Sequence, residues 1–277
     1  MKVLYKLFRI KHYIKNFLIF VPFLFGSMFS LIDIKNIIIA FFAFSFMASC
    51  IYIINDIKDI ERDKKHPVKK NRPIASGKVS IKLAKIIAIF MFIGAFILNY
   101  ICSSNPLSYV WLLIYFLLNL LYSFKLKRIP IFDIVCLVSF YIIRIYYGGA
   151  VVGVPVSNWL YLALMSLAAF LAFGKRRNEL QKNGEESRTV LKFYNQEFLD
   201  KFMYVSLALA INFYSLWAIE HAKQYFEYTI PIVFIILMRY SLIIEGESDG
   251  DPVEVVFKDR TLTIFGIIYA VITCALI

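Results

Sequence analysis

The sequence predicts an all-α integral membrane protein, a single bundle of about nine transmembrane helices occupying residues 1–277, with its reactive loops on one side of the bilayer. Three observations predict it. First, 60% of the 277 residues are hydrophobic and only 18% are charged, which is more apolar surface than a soluble domain of this length buries. Second, largely uncharged runs recur near the roughly 20 residues that a helix needs to cross the hydrocarbon. They cover residues 17–31, 36–54, 83–101, 107–122, 131–152, 159–173, 202–219, 228–244 and 262–277. In lipid the backbone has to satisfy its own hydrogen bonds, so these runs are helices and not open sheet. Third, the cations alternate along the chain. Of 31 Lys and Arg, five precede Phe17, ten lie between Asp56 and Lys85, three stand in "KLKR" at 125–128, seven lie between Lys175 and Lys201, and Lys258 and Arg260 follow. The intervening connections hold only Lys35 and Lys223. By the positive-inside rule the N-terminus and the cation-rich connections face the cytoplasm, and the C-terminus, after an odd number of helices, lies outside. Topology thus accounts for the net charge of +12, and nucleic acid is not an expected partner.

The elements follow in order. Residues 1–16 are basic and amphipathic; they either lie along the membrane interface, with Leu4, Leu7 and Phe8 in lipid and the lysines in water, or serve as a basic flank that orients the first helix. They do not read as a cleavable signal, because no small-residue cleavage site follows a short apolar core. The third run is entered through "PIASG" at 73–77, which reads as a rigid turn. In the fifth run, Gly148, Gly149 and Gly153 suit close helix packing. Cys50, Cys102, Cys136 and Cys274 fall in or beside helices without metal-ligand spacing and read as buried structural thiols. The two long cytoplasmic loops, 56–80 and 175–200, follow helices two and six. That spacing of four helices hints at two related halves, each with one reactive loop.

The chemistry gathers at the first of these loops. Asp56, Asp59 and Asp63 are spaced i, i+3, i+7 and line one face of a helix. Three like charges on one face repel, and a divalent cation would offset that. Carboxylate oxygens suit Mg2+, which binds one or two carboxylates and completes its shell with water and substrate phosphates. Asn55 adds a neutral ligand or a hydrogen bond. The competing reading is a solvated helix end, with Lys58, Arg62, Lys64 and Lys65 as ion-pair partners. Lys69, Lys70 and Arg72 follow and suit phosphate, or enforce topology. His66 has no neighbouring His or Cys and is not expected to hold metal. Together the cation site and basic loop suggest a magnesium diphosphate substrate.

Three further features bear on function. Lys175, Arg176 and Arg177 form a run of cations beside the membrane with Glu179 close by, a composition suited to phosphate; Glu185 and Glu186 lie further on. Successive helical residues point about 100° apart, so one or two of the three are expected to meet phosphate and the others lipid headgroups or Glu179. Arg144 sits inside helix five, where a guanidinium is costly unless it faces a polar cavity. It grips a phosphate or pairs structurally; Asp133, eleven residues away, is too far along the helix for direct contact. Arg239 carries the same two readings.

"NDIKDIERD" at 55–63 and "HPVKKNRPIASG" at 66–77 resemble the first aspartate-rich motif and following loop of the UbiA superfamily of intramembrane prenyltransferases. The helix count and the loops after helices two and six are similar as well, and the resemblance covers essentially the whole chain. Aromatic prenyltransferases of that superfamily usually carry a second DxxxD after helix six. Here "FGKRRNELQKNGEESRTVLKFYN" stands instead, so a second carboxylate clamp is not implied. The substitution resembles one branch, the decaprenyl-phosphate phosphoribosyltransferases. "RIKHYIKN" at 9–16 carries over Arg9, Lys11, Lys15 and Asn16. "YSFKLKRIPIFDI" and "SFYIIRIYYGGAVVGVPVSNW" carry over Tyr122, Lys125, Lys127, Asp133 and Arg144. "GKRRNEL", "MRY" at 238–240 and "DPVEVVFKDR" at 251–260 are similar too.

The resemblance implies a Mg2+-dependent transfer of 5-phosphoribose from phosphoribosyl diphosphate to a polyprenyl phosphate, releasing diphosphate, in the supply of cell-envelope polysaccharide precursors. It implies Asp56, Asp59 and Asp63 as metal ligands, with Asn55 among the catalytic residues. Lys15, Lys69, Arg72, Tyr122, Lys125, Lys127, Arg144, Lys175, Arg176, Arg177 and Glu179 are implied as substrate and phosphate contacts. The site would face the cytoplasm from the inner membrane, and a homo-oligomer is left open. Two other functions compete: a UbiA-type aromatic or quinone prenyltransferase using a polyprenyl diphosphate on the first motif, and a transporter with acids at a gate. The missing second DxxxD speaks against the former. Carboxylates at the cytoplasmic end, and not at the midplane, speak against the latter.

Overall fold

Every long apolar run but the first becomes an α-helix in the computed structural model, which describes residues 2–26, 30–184, 188–220, 225–246, 255 and 258–276. A short helix α1 (Lys2–Leu7) leads into a 3-10 segment (Ile10–Phe20) and one turn of α-helix, α2 (Val21–Leu24). Then come α3 (Leu31–Lys58), α4 (Ile60–Lys65), α5 (Ile81–Cys102), α6 (Pro106–Phe124), α7 (Phe132–Val152), α8 (Asn158–Asn183), α9 (Gln196–Glu220), α10 (Ile230–Glu245) and α11 (Arg260–Leu276). Serines set several starts. Ser30 and Asp33 form a reciprocal capping box on α3, while Ser80 and Ser157 cap α5 and α8, each satisfying an otherwise orphan backbone donor.

Among the described residues seven helical stretches are long and apolar enough to cross a membrane, α10 being counted with the 3-10 turn Phe226–Thr229 that precedes it, and α11 is a shorter apolar helix of 17 residues. The chain is a multi-pass membrane protein built from them. The first of the nine expected runs differs in kind. Its helix starts earlier, at Ile10, and is wound as 3-10. At about 2.0 Å per residue, eleven residues rise about 22 Å, and α2 adds about 6 Å. That approaches the roughly 30 Å hydrocarbon thickness with fewer residues than an α-helix needs.

The chain divides into two compact units, Met1–Ser123 with Ile143–Pro155, and Phe124–Ile142 with Val156–Ile277. In the first, α3 packs along α5 around Leu7, Cys50, Ile53, Ile74, Val79, Ala84, Ala88 and Met91. Leu7, expected in lipid, is fully buried in this core, and Phe8 packs against it. Asn16 is buried as well, so residues 1–16 are not wholly peripheral; among the described residues of this segment Val3, Leu4, Tyr5 and Ile10 keep exposed apolar faces. In the second unit α8 packs along α9. One core there centres on Phe170, Met203, Leu237, Tyr240 and Ile244, another on Ile134, Ala172, Val190, Leu191 and Leu199. Cys50, Cys102 and Cys136 are buried as expected, but Cys274 is exposed.

The "PIASG" turn takes the expected form. Pro73, Ile74 and Ala75 are buried, Val79 N–H donates to the Pro73 carbonyl at 3.0 Å, and Gly77 adopts φ 76°. A side chain is strained at that angle.

Candidate functional site

The site in the first unit is built on a stripe of α3. Ser45, Ser49, Tyr52 and Asp56 stand at i, i+4, i+7 and i+11 and therefore share one helix face. The 3-10 segment runs along this face. Its Tyr13, Asn16 and Ile19 are three residues apart and eclipse one another in a 3-10 helix. Asn16 Nδ2 donates to Ser45 Oγ at 2.9 Å, Tyr13 Oη and Ser49 Oγ share a hydrogen bond of 2.7 Å, and Ser49 Oγ donates to the Phe8 carbonyl at 3.1 Å. At the end of the row, Arg9 donates to Asp56, with its guanidinium 4.7 Å from the centroid of the Tyr52 ring. Sequence reasoning missed Ser45 and Ser49. Two serines four apart in an otherwise apolar helix were the available signal.

Asp56 is 2% and Asp63 3% exposed, which is not a solvated helix end. Their partners come from elsewhere in the chain. Arg72 Nη1 donates to Asp63 Oδ2 at 2.6 Å and to Asp56 Oδ1 at 3.1 Å, while Arg9 takes the same Asp56 oxygen. The helix face expected of the three aspartates is interrupted at Asp59, the junction residue between α3 and α4. Backbone bonds from Asp59 to Asn55 and from Asp63 to Asp59 still hold Asp56 and Asp63 on one side. Among the described residues no three His, Cys, Asp or Glu side chains gather closely enough to hold one ion; arginines stand between these acids. Asn55 Oδ1 is buried with no hydrogen-bond partner. An orphaned buried acceptor is costly, and Asn55 precedes Asp56 in the chain, while Arg72 joins Asp56 to Asp63; such oxygen donors suit a hard cation such as Mg2+.

The loop after α4 is held by His66, whose Nδ1 accepts from the Val68 and Lys69 amides at 3.2 and 3.3 Å. Burial, with Lys69 next, pushes the His66 pKa down, which keeps the imidazole neutral and accepting. Lys69 is half-buried on this loop and Lys70 is exposed. Lys15 and Tyr122 are also half-buried in this unit. Lys58 Nζ donates to the Ser123 carbonyl at 2.6 Å, a cation on the last turn of α6.

Arg144, on the part of α7 that belongs to this unit, is 4% exposed. Its Nε donates to Asn16 Oδ1 at 2.9 Å and its Nη2 to Tyr115 Oη at 3.0 Å, and it lies over the rings of Phe44 and Tyr115. Four residues on, Gly148 lets the 3-10 segment reach the α7 backbone. A Cβ there would stand 2.0 Å from the Ile19 carbonyl oxygen. Gly148 is thus a packing glycine, as expected, whereas Gly153 ends α7 at φ 69°.

In the second unit Asp133, fully buried, pairs with Arg176 at 2.6 Å and not with Arg144. Its Oδ1 accepts from Tyr194 Oη at 2.6 Å, which in turn accepts from the Ile131 amide at 2.6 Å. Burial, with the Asp133 carboxylate next, pushes the Tyr194 phenol up. Arg176 also pairs with Glu179 at 2.6 Å, and Glu179 with Arg188 at 3.1 Å. Arg177 pairs with Asp200 at 2.5 Å and donates to Gln181 at 3.2 Å. Both arginines, among the three cations of which one or two were expected to meet phosphate, are thus engaged in ion pairs, with Glu179 the partner of Arg176 and Asp200 that of Arg177. Lys175 is half-buried, Lys127 half-buried and Lys125 exposed. Arg239 pairs with Asp259 at 2.7 Å. Glu185 and Glu186, and residues 251–254 and 256–257 of the "DPVEVVFKDR" stretch, lie outside the described residues.

A buried acid pair at the C-terminal end of an apolar helix, bracketed by arginines, sets carboxylate oxygens and guanidinium groups side by side in a multi-pass membrane protein. The family comparison makes this specific: residues 17–273 match the UbiA prenyltransferase family, and the chain belongs to that family. It is 30% identical over 240 residues to a decaprenyl-phosphate phosphoribosyltransferase of Mycobacterium tuberculosis, covering 84% of this chain and 79% of the relative. To the protein so named from Mycolicibacterium smegmatis it is 33% identical over 242 residues, covering 82% and 75%. Among solved structures, a UbiA homolog from Archaeoglobus fulgidus bound to GPP and Mg2+ superposes with a TM-score of 0.77 at 20% identity, covering 98% of this chain and 96% of that one.

Proposed function

We propose that the chain transfers 5-phosphoribose from phosphoribosyl diphosphate to a polyprenyl phosphate in the membrane, releasing diphosphate, with Mg2+ at the Asp56–Asp63 cluster. The observation that carries this reading is the acid pair held between Arg9 and Arg72, joined to relatives named for this reaction that align over more than 80% of the chain. The lack of a second acidic motif supports it further: the corresponding positions, in the last part of α8, hold arginines ion-paired to Asp133, Glu179 and Asp200.

Asp56, Asp63 and Asn55 Oδ1 would hold the cation, with Asp59 at the edge of the cluster. Bound there, Mg2+ would supply charge neutralisation for the departing diphosphate. Arg72 and Lys69 would bind the diphosphate oxygens, which would strengthen the same effect as the leaving group gains charge. Departure leaves oxocarbenium character at the anomeric carbon. The nucleophile is a phosphate-ester oxygen, already ionised at neutral pH, so the reaction needs no strong general base. Lys15, Tyr122, Lys125, Lys127, Arg144 and Lys175 remain candidates for the other phosphate groups. The donor enters from the cytoplasm and the acceptor from lipid, in keeping with the charge bias of the loops.

The test incubates membranes containing the chain with labelled phosphoribosyl diphosphate and polyprenyl phosphate. Labelled lipid that depends on both substrates is the expected result. Transfer of a prenyl group from a polyprenyl diphosphate to an aromatic acceptor, with no phosphoribosyl lipid formed, would establish the aromatic prenyltransferase instead.

A further inference from the structure

The arginines on the acid pair have a consequence for how a cation can enter. Arg9, Arg72, Asp56 and Asp63 together carry no net charge. The acids are almost completely buried, while the arginine side chains are 22% and 29% exposed. Asp56 Oδ1 already accepts from both guanidinium groups. A divalent cation that takes this oxygen has to displace one of them, and it would raise the cluster to +2 in partly buried surroundings. Such excess charge is opposed unless an anion arrives with it.

The two arginines are not equivalent. Arg72 is tied to Asp63 as well as Asp56. Among the described residues the Arg9 side chain bonds Asp56 alone, and it lies over the Tyr52 ring. It stands at the joint between α1 and the 3-10 segment in the left-handed conformation, at φ 52° and ψ 48°, which a non-glycine residue adopts at some cost. Leu7 in the core and the Ser49 bond to the Phe8 carbonyl fix the chain just before it, so the backbone stays in place while the partly exposed guanidinium has room to turn.

We propose that Arg9 is the exchange residue of the site: it holds Asp56 in the resting protein, yields that carboxylate to the divalent cation, and turns onto a phosphate oxygen of the diphosphate that enters with it. Cation and diphosphate then bind cooperatively. This rests on the reading of Asp56 and Asp63 as a cation–diphosphate site.

The experiment is equilibrium dialysis of the detergent-solubilised full chain against Mn2+, alone and with methylenediphosphonate, measuring metal retained by the protein. The parent is expected to hold Mn2+ at least about tenfold more tightly when the diphosphonate is present. Arg9→Gln leaves the cluster at −1. It should bind Mn2+ alone at least about tenfold more tightly than the parent and lose most of the diphosphonate enhancement, whereas Arg9→Lys, which keeps the charge, should stay near the parent. Equal Mn2+ affinity of the parent with and without diphosphonate overturns the proposal, and this arm needs no variant to fold. So does an Arg9→Gln protein that remains folded and binds Mn2+ alone no more tightly. Asp56→Asn separates the two levels of the argument: if it retains Mn2+ as the parent does under both conditions, the acid pair is not the cation site and the underlying reading fails.

Discussion

Replacing Gly148 by Ala tests whether the 3-10 segment is what aligns the site. The added Cβ would lie 2.0 Å from the Ile19 carbonyl oxygen, 2.8 Å from its carbon and 3.1 Å from its Cα. Ordinary carbon–oxygen contacts begin near about 3.3 Å, so the two backbones have to separate by about 1.3 Å. No side chain can rotate away, because all three clashing atoms are backbone. Ile19 is fully buried, which leaves the segment nowhere to settle. Asn16 lies one 3-10 turn before Ile19, and Arg144 one α-turn before Gly148. A shift of that size carries their 2.9 Å bond beyond hydrogen-bonding range. Overpacking costs about 1–3 kcal/mol, and losing a hydrogen bond to a charged group about 1.5–3 kcal/mol more. The expected loss is therefore roughly 2.5–6 kcal/mol. Thermal unfolding of the purified chain in detergent measures it, with donor turnover recorded in parallel. Gly266→Ala is the control: its Cβ would meet nothing within 4 Å, and in a helix Ala is favoured over Gly by about 0.5–1 kcal/mol. If Gly148→Ala melts with the parent and turns over normally, the 3-10 segment does not rest on α7 as described, and the link from Asn16 to Arg144 has no part in the site.

Asp56→Asn and Asp63→Asn should each lower donor turnover by orders of magnitude while the protein still inserts, and Asp59→Asn should act less severely because Asp59 does not share Arg72; equal loss in all three would show that the acids act as one set. Arg176→Met should destabilise the second unit by about 3–5 kcal/mol, since it leaves Asp133 buried and uncompensated, whereas Lys175→Gln should leave unfolding unchanged and raise the apparent constant for a phosphorylated substrate roughly tenfold or more; unfolding curves and steady-state kinetics separate the two. His66 provides a pH test. Its folded pKa is depressed, so its contribution is present above the unfolded value of about 6.5 and is lost as pH falls through the lower folded value. The melting temperature of the parent should exceed that of His66→Leu at pH 7.5, and the gap should close by pH 5; a gap that widens on acidification would show that the imidazole is held protonated.

The acids and their surroundings illustrate how far single-sequence reasoning reaches. Asp56 and Asp63 were visible because carboxylates are rare at the mouth of an apolar helix. The spacing also suggested that all three aspartates line one face; the interruption at Asp59 and the insertion of Arg9 and Arg72 depend on chain segments 16 to 47 residues away. The cation run at 175–177 was equally visible, but its use was not. Whether a helical arginine meets a phosphate or a carboxylate depends on what packs beside it, and Asp133 and Asp200 reach Arg176 and Arg177 only through tertiary packing.

The sequence by itself determined the fold class, the membrane setting and the position of most helices. Those follow from the length of apolar runs and from the impossibility of leaving backbone groups unsatisfied in lipid, both local properties of the chain. Only the tertiary structure decided that residues 10–20 wind as a 3-10 helix against Ser45 and Ser49, that Leu7 belongs to the core, and that Gly148 admits this segment to the α7 backbone. It also decided which cations stand on the acid pair. A guanidinium is offered by sequence, but its partner is chosen by geometry, because the energy of a buried charge depends on what lies within a few ångströms and not on what is adjacent in the chain.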